Sequence, residues 1–318
     1  MRILLTGASS FTGYWFCREL ASAGHNVTAP LRSGEDDGSA VRQLRLSKLK
    51  EIAQVYFHTP FGGTEFFKLL EDEAAFDAVC LHGAEVTNYR SLDFDPVAAF
   101  ANNTQNCRSV FQALADKGAP SLIVTRSVFE GFDGLNDDAH RVVSAYGLAK
   151  TITTQAYNFY AQESGLSMFE FVIANPFGPF EEPRFTNYLV RTWAKGETAE
   201  ICTPDYVRDN IPIEILALCY RDFVTQQDEA LSIARFAPSY FAESQGAFSK
   251  RFQVEIGSRL GFAADIKLTV QHEFPEPRVR INTDKVDASA LNFDETASWD
   301  NLAEYYEAFI LPNIGLSP

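Results

Sequence analysis

The chain has 318 residues, 46% of them hydrophobic, and its 27 Lys and Arg stand against 42 Asp and Glu for a formal net charge of −15. That length and apolar content can bury one large core or two moderate ones. The acidic balance repels phosphate backbones and argues against general binding to nucleic acid or to an anionic membrane.

The first segment, Arg2-Ile3-Leu4-Leu5-Thr6, is a short apolar run ending in Gly7-Ala8-Ser9-Ser10-Phe11-Thr12-Gly13, the pattern of a buried strand followed by a turn. It carries no cleavable hydrophobic region, and no window approaches ~18 uninterrupted apolar residues, so a soluble cytoplasmic protein is expected. From Tyr14 to Ala23 apolar residues recur at helical spacing, Gly24 stops the helix, and His25-Asn26-Val27-Thr28-Ala29 reads as a second strand. This is a βαβ unit. Further strands are predicted at Gln54–Phe57, Ala78–Leu81, Ser121–Thr125 and Phe169–Ala174, with helices over Ala98–Lys117 and Tyr146–Glu163. Such alternation predicts a parallel sheet covered on both faces.

After Asn175-Pro176-Phe177-Gly178-Pro179-Phe180 the connections become richer in Pro and aromatics, which places a domain boundary there. Helical patterns resume at Ile213–Val224, Ser244–Leu260 and Trp299–Ile310, with strand-like Leu231–Phe236 and Ile266–Val270 between them. The expected fold class is α/β: a Rossmann-type doubly wound parallel sheet over residues 1–174, and a smaller mixed α/β substrate domain over 175–318, with part of 207–236 returning to the first. Cys17, Cys80, Cys107, Cys202 and Cys219 are widely spread, and His25, His58, His82, His140 and His272 do not cluster. Reduced thiols and no structural metal follow.

Four stretches carry chemistry. Gly7-x-x-Ser10-x-x-Gly13, between a strand and a helix, sits where a dinucleotide pyrophosphate meets backbone N–H groups and the helix's positive end. Ser10 stands where a further Gly would allow closest approach, and can offer its hydroxyl to phosphate instead. At the end of the second strand, Leu31-Arg32-Ser33 lacks the carboxylate that binds the ribose of NAD, while Arg32 and Ser33 can hold a 2′-phosphate. NADP(H) is therefore expected ahead of NAD(H). Thr125-Arg126-Ser127 presents the Ser127 hydroxyl at a strand's carboxyl end, where ligands of open α/β sheets bind. Tyr146 and Lys150, one helical turn apart, place a phenol and an ammonium on one helix face, a pairing suited to moving a hydroxyl proton.

Together these residues resemble the extended short-chain dehydrogenase/reductases, the NAD-dependent epimerase/dehydratase family of sugar-nucleotide enzymes. Thr6-Gly7 to Gly13 is similar to its nucleotide loop with the middle Gly replaced, and Asp77–Ala84 to its fourth-strand motif. Ser127, Tyr146 and Lys150 resemble its catalytic set. The resemblance implies that Gly7, Ser10, Phe11 and Gly13 meet the cofactor and that Asn103 supports Lys150. Asn175-Pro176-Phe177-Gly178-Pro179 and Val207-Arg208-Asp209-Asn210-Ile211 are similar to two further family elements. They imply that Asn175 and Arg208 hold a nucleotide diphosphate, joined by Arg278 or the competing Arg280.

The sequence also departs from the family pattern. The third strand's end, Tyr56-Phe57-His58-Thr59, lacks the usual Asp, and His82 lies one place from the family's strand histidine, which leaves it a packing role. Val128-Phe129-Glu130-Gly131 is one residue longer than the usual Val-Tyr-Gly, with Arg126 and Glu130 expected to face the sugar or solvent. Phe177, Phe180, Phe185 and Tyr188 can pack on sugar or base, with core packing as the default. The leading expectation is an NADP(H)-dependent oxidoreductase reducing a nucleotide-linked keto-sugar, with Tyr146 as proton donor. The alternatives are an epimerase that retains its cofactor and a non-catalytic NADP(H)-binding regulator. The resemblance further implies a possible homodimer through sheet-flanking helices.

Overall fold

The computed structural model describes residues 1–118, 120–131, 135–136, 142–226 and 234–314. His140 and residues 231–233 of the predicted Leu231–Phe236 strand lie outside them. The chain divides into two compact units, the first made of Met1–Asp133, Ala139–Ile173 and Ala217–Ala237, the second of Gly134–Asp138, Ala174–Leu216 and Pro238–Pro318.

In chain order the elements begin β1 (Arg2–Leu5), α1 (Phe11–Ser22), β2 (Asn26–Pro30), α2 (Ala40–Ile52), β3 (Gln54–Tyr56), α3 (Thr64–Asp72) and β4 (Ala78–Leu81). Next come α4 (Pro96–Asn103), α5 (Cys107–Asp116), β5 (Ser121–Ser127), β6 (Leu135–Asn136), α6 (Ala145–Glu163), β7 (Met168–Ile173) and β8 (Asn175–Phe177). The chain continues through α7 (Phe185–Ala194), β9 (Ala199–Ile201), β10 (Val207–Pro212), α8 (Ile213–Thr225), β11 (Arg235–Phe236), β12 (Pro238–Ser239) and β13 (Phe241–Ser244). The last elements are α9 (Gln245–Phe252), β14 (Ile266–Leu268), β15 (Val279–Ile281), β16 (Asp284–Lys285) and α10 (Glu295–Tyr305).

The first unit is built on a seven-stranded sheet of order β11-β7-β5-β4-β1-β2-β3. Each neighbouring pair in it is parallel. Strands covered on both faces are apolar, and β4 throughout and β1 from Ile3 onward are buried accordingly. One core cluster joins Val79, Leu122 and Val124 of the sheet to Phe66, Phe111 and Tyr157 of the helices. Phe16 of α1 stacks on Tyr220 of α8 at 3.8 Å between ring centroids. The second unit holds a sheet of order β13-β10-β15-β6, with β8 added to β10. Its apolar cluster gathers Phe177, Trp193, Phe248, Phe252, Trp299 and Tyr306.

Three predicted helices are interrupted. Over 98–117 the chain forms α4 and α5, because Asn106 takes a left-handed conformation (φ 51°) and its side chain donates to Gly62 O at 2.8 Å. The helices predicted over Ser244–Leu260 and Trp299–Ile310 widen to π turns at Gln253–Gly257 and Tyr306–Ile310. Phe177 lies in the second unit's core, and Phe180 packs edge-on against Tyr305 at 5.1 Å, while Phe185 and Tyr188 tilt against each other at 6.5 Å.

Beside that core the Glu181 side chain is only 8% exposed and accepts from Thr186 Oγ1 at 3.0 Å. Burial pushes its carboxyl up to about 7. The folded form thus holds this proton more tightly than the unfolded one, so the contribution to stability is full below about pH 4.5 and is lost as pH rises through about 7. Glu181→Gln is expected to remove that slope and to stabilise the protein at pH 8 by on the order of 3 kcal/mol relative to wild type. Urea unfolding at pH 5 and pH 8 checks this, and an unchanged slope contradicts it.

Candidate active site

At the carboxyl end of β1 the chain turns into α1 through residues 6–10. Ser10 N donates to Gly7 O at 3.0 Å, and Gly13 packs so closely that a Cβ there would lie 2.2 Å from Gly7 O. Gly13 is therefore required for helix and loop to meet. Ser10 is in an ordinary extended conformation (φ −73°, ψ 168°), so replacing glycine costs the backbone nothing. Its hydroxyl accepts from Gly13 N at 3.1 Å, capping the helix. The same hydroxyl lies 3.1 Å from His82 Nε2, with Thr12 Oγ1 at 3.0 Å from that nitrogen. The Ser10 hydroxyl expected at the phosphate is thus also used within the protein, as the cap of α1 and a partner of His82. Phe11 opens α1 and is buried. Backbone N–H groups of a first helical turn have no partners within the helix, so the loop keeps the donors an anion needs.

His82 does more than pack. It meets Phe16 edge-on at 5.2 Å as well as bonding the loop hydroxyls. Burial, with a smaller contribution from the Lys150 charge, pushes its imidazole down to about 3, so it is neutral near pH 7. Arg45 of α2, 2% exposed, donates from Nε to Ser9 O at 2.9 Å and braces the same loop. Past β2, Arg32 pairs with Glu85, which lies four residues beyond β4. In the sheet β1 lies between β2 and β4, so this pair spans the end of β1. A carboxylate from the segment after β4 thus stands beside Arg32, where the end of β2 itself brings none. The Arg32 and Thr87 bonds hold the Glu85 carboxyl below its ordinary range against the opposing effect of burial. Ser33 adjoins Arg32, and its O accepts from His58 N at 3.4 Å.

At the carboxyl end of β5, Ser127 is 8% exposed. Phe129 N donates to its Oγ at 3.3 Å. Ser144 caps α6 by accepting from Gly147 N at 3.0 Å, so the helix begins just before Tyr146. The Tyr146 ring lies 6.2 Å from that of Phe129 and 5.2 Å from that of Tyr89. One turn on, Lys150 is buried and donates from Nζ to Thr125 O at 2.7 Å, which places its ammonium at the end of β5. The first unit therefore brings Ser127, Tyr146 and Lys150 to one strand end. Asn103 accepts from Glu85 N at 2.7 Å and donates to Thr153 Oγ1 at 3.3 Å, while its backbone O accepts from Tyr157 OH at 2.5 Å. It ties α4 to α6 one turn beyond Lys150. Arg126 and Glu130, expected to face sugar or solvent, face neither. Their side chains are 10% and 0% exposed and pair at 3.0 Å, because the turn after β5 folds Glu130 inward.

In the second unit, parallel pairing sets Arg208 beside Arg280 and Asn210 beside Asn175. Alternation along β10 puts Arg208 and Asn210 on one face. Arg208 and Arg280 share Glu276, at 3.3 and 3.1 Å from its Oε2, and Arg208 lies 4.2 Å from the Tyr206 ring centroid. Burial and the Arg280 charge push the Arg208 guanidinium down to about 10, which leaves it charged at neutral pH. The Arg278 side chain is exposed and lies over the Phe274 ring at 5.0 Å while its backbone O accepts from Arg208 Nη1 at 3.1 Å, so Arg280 is the arginine whose guanidinium shares Glu276 with Arg208. The side-chain nitrogens of Asn175 and Asn210 are buried without a hydrogen-bond partner among the described residues. Asn210 is legible as the alternation partner of Arg208. Glu85 and Arg45 carry no such signal, because tertiary folding alone brings them to the loop. Among the described residues no group of His, Cys, Asp and Glu fits a metal ion, and no helix is long and apolar enough to cross a membrane.

A search of curated proteins gave no significant match. Solved structures of the same fold include UDP-glucose 4-epimerase from Thermotoga maritima, 16% identical with TM-score 0.69, covering 97% of this chain and 99% of that one. UDP-glucuronic acid 4-epimerase from Bacillus cereus is 17% identical with TM-score 0.68, at 97% and 99% coverage. A dTDP-glucose 4,6-dehydratase from Streptomyces venezuelae is 15% identical with TM-score 0.69, at 97% and 98%. The model of the NAD dependent epimerase/dehydratase family matches residues 3–230, well over half the chain, and the chain belongs to that family.

Proposed function

We propose that the protein is a sugar-nucleotide epimerase that keeps its nicotinamide cofactor through the reaction. The observation that carries this reading is the assembly of Ser127, Tyr146 and Lys150 at the end of β5, with Lys150 fixed to Thr125 O at 2.7 Å. In the proposed division of labour, the first unit binds the dinucleotide and the second the substrate. Gly7, Phe11 and Gly13 form the pyrophosphate cradle, and Ser10 shapes it by capping α1. The nicotinamide held there would supply the hydride acceptor and donor, for removal from one face of the sugar carbon and return to the other. Tyr146 takes the hydroxyl proton and gives it back, acting as base and then as acid. The Lys150 charge stabilises the phenolate that serves as base. Ser127 donates to the sugar oxygen and steadies the charge that develops there. Asn103 holds α4 against α6. Asn175, Asn210, Arg208 and Arg280 supply amide and guanidinium donors for the diphosphate, with Arg278 at the rim.

For the cofactor we favour NAD(H). Arg32 is already paired with Glu85, whose carboxylate repels a 2′-phosphate, and the Bacillus cereus epimerase is described with NAD bound. The second reading, keto-sugar reduction with NADP(H), keeps support from Arg32 and Ser33 after β2, since the Arg32 side chain is 55% exposed and exposed pairs are weak.

Tyr146→Phe is expected to lower turnover of UDP-glucose by roughly 10²–10⁴-fold, the usual worth of a positioned acid or base, with cofactor affinity changed less than about threefold. Full activity in that variant sinks the assignment. Calorimetric titration should show NAD⁺ binding tighter than NADP⁺ by about tenfold or more, and Glu85→Gln should narrow the ratio by several-fold as Arg32 is released. Wild-type preference for NADP⁺ would return the reductase reading to first place.

A further inference from the structure

Glu130 has a completely buried side chain at a place where burial of charge is expensive. Its two oxygens are fully engaged. Oε1 accepts from Ser127 N at 2.9 Å, and Glu130 N donates back to Ser127 O at 2.9 Å, closing a reciprocal clamp on the turn. Oε2 accepts from Arg126 Nε at 3.0 Å and from Thr154 Oγ1 at 3.0 Å. Arg126 reaches on to Glu170 Oε2 of β7 at 2.7 Å.

Thr154 lies four residues beyond Lys150, and Lys150 four beyond Tyr146, so the three succeed one another along one side of α6. The same helix meets the turn at two more points. A Cβ at Gly147 would lie 2.2 Å from Phe129 O, so helix and turn touch backbone to backbone, and Gly131 N donates to Thr151 Oγ1 at 3.0 Å. The turn bearing Ser127 and the helix bearing Tyr146 and Lys150 are therefore joined through one carboxylate.

We infer that Glu130 is a positioning residue that sets Ser127 against Tyr146 and Lys150 by binding the Ser127 amide, Arg126 and Thr154 at once. This rests on the catalytic reading of those three residues. A buried ion pair adds little net stability compared with apolar side chains of the same size, whereas proton chemistry is sensitive to displacements of about 1 Å, which can cost about 10²-fold in rate. The group's value lies in where it holds Ser127.

Thr154→Val removes one donor to Glu130 at nearly constant volume, Thr154→Ser restores it, and Glu130→Gln removes the charge while keeping an acceptor for Ser127 N. Hydrogen exchange measured by mass spectrometry on the whole protein, without substrate, should be faster over residues 125–131 in Thr154→Val and Glu130→Gln, with β1 and β2 unchanged and Thr154→Ser like wild type. With UDP-glucose as probe, kcat should fall by about tenfold or more in the same two variants while KM stays within about threefold, again with Thr154→Ser restored. Unchanged exchange in both variants overturns the coupling, and faster exchange with kcat within twofold of wild type overturns the positioning role. A fully active Tyr146→Phe refutes the catalytic reading instead, and exchange alone then decides whether Glu130 joins turn and helix.

Discussion

The contact on which the candidate chemistry depends is the seating of α6 against the end of β5. Lys150 reaches Thr125 O at 2.7 Å, and Gly147 admits Phe129 O where a side chain would collide. Together they seat the start of α6, which carries Tyr146, against the turn after β5, which follows Ser127. In the parallel sheet only β4 separates β1 from β5, so the glycine loop opens on the same edge as the Ser127 turn. The residues proposed for proton transfer and for cofactor binding thus share one sheet edge, the carboxyl ends of parallel strands, where ligands of such sheets bind.

Electrostatics at that edge follow from burial. His82 is kept neutral, so it bonds the loop hydroxyls without adding positive charge beside Lys150. Lys150 is a buried cation one helical turn along α6 from Tyr146. In the second unit two guanidiniums lie side by side on one sheet face, with Glu276 between them as partial compensation. Like charges brought together under cover are costly to a fold unless an anion offsets them. The diphosphate proposed for Arg208 and Arg280 would provide that compensation.

Much of this was legible in the sequence. Strong apolar periodicity and Gly stops marked the βαβ start, and four-residue spacing was enough to place Tyr146 and Lys150 on one side of a helix. The less legible features depend on contacts between distant segments. Asn106 reads as an ordinary helical polar residue until its side chain finds Gly62, and that bond divides the predicted 98–117 helix. Arg32 reads as a free phosphate ligand until β4 delivers Glu85 beside it. Glu130 reads as a surface charge until the turn carries it inward to Arg126 and Thr154. In each case the residue type suggested polarity correctly, and its partner lay far away or around a turn that periodicity does not describe.

In the proposed reaction, hydride leaves and returns to the same sugar while Tyr146 moves the proton. Incubating the protein with UDP-glucose deuterated at C4, with no cofactor added, tests it most directly. The account predicts conversion to the epimer with the deuterium retained in the sugar and no labelled nicotinamide released. Deuterium appearing in free reduced cofactor, or turnover only with stoichiometric NADPH, would contradict it.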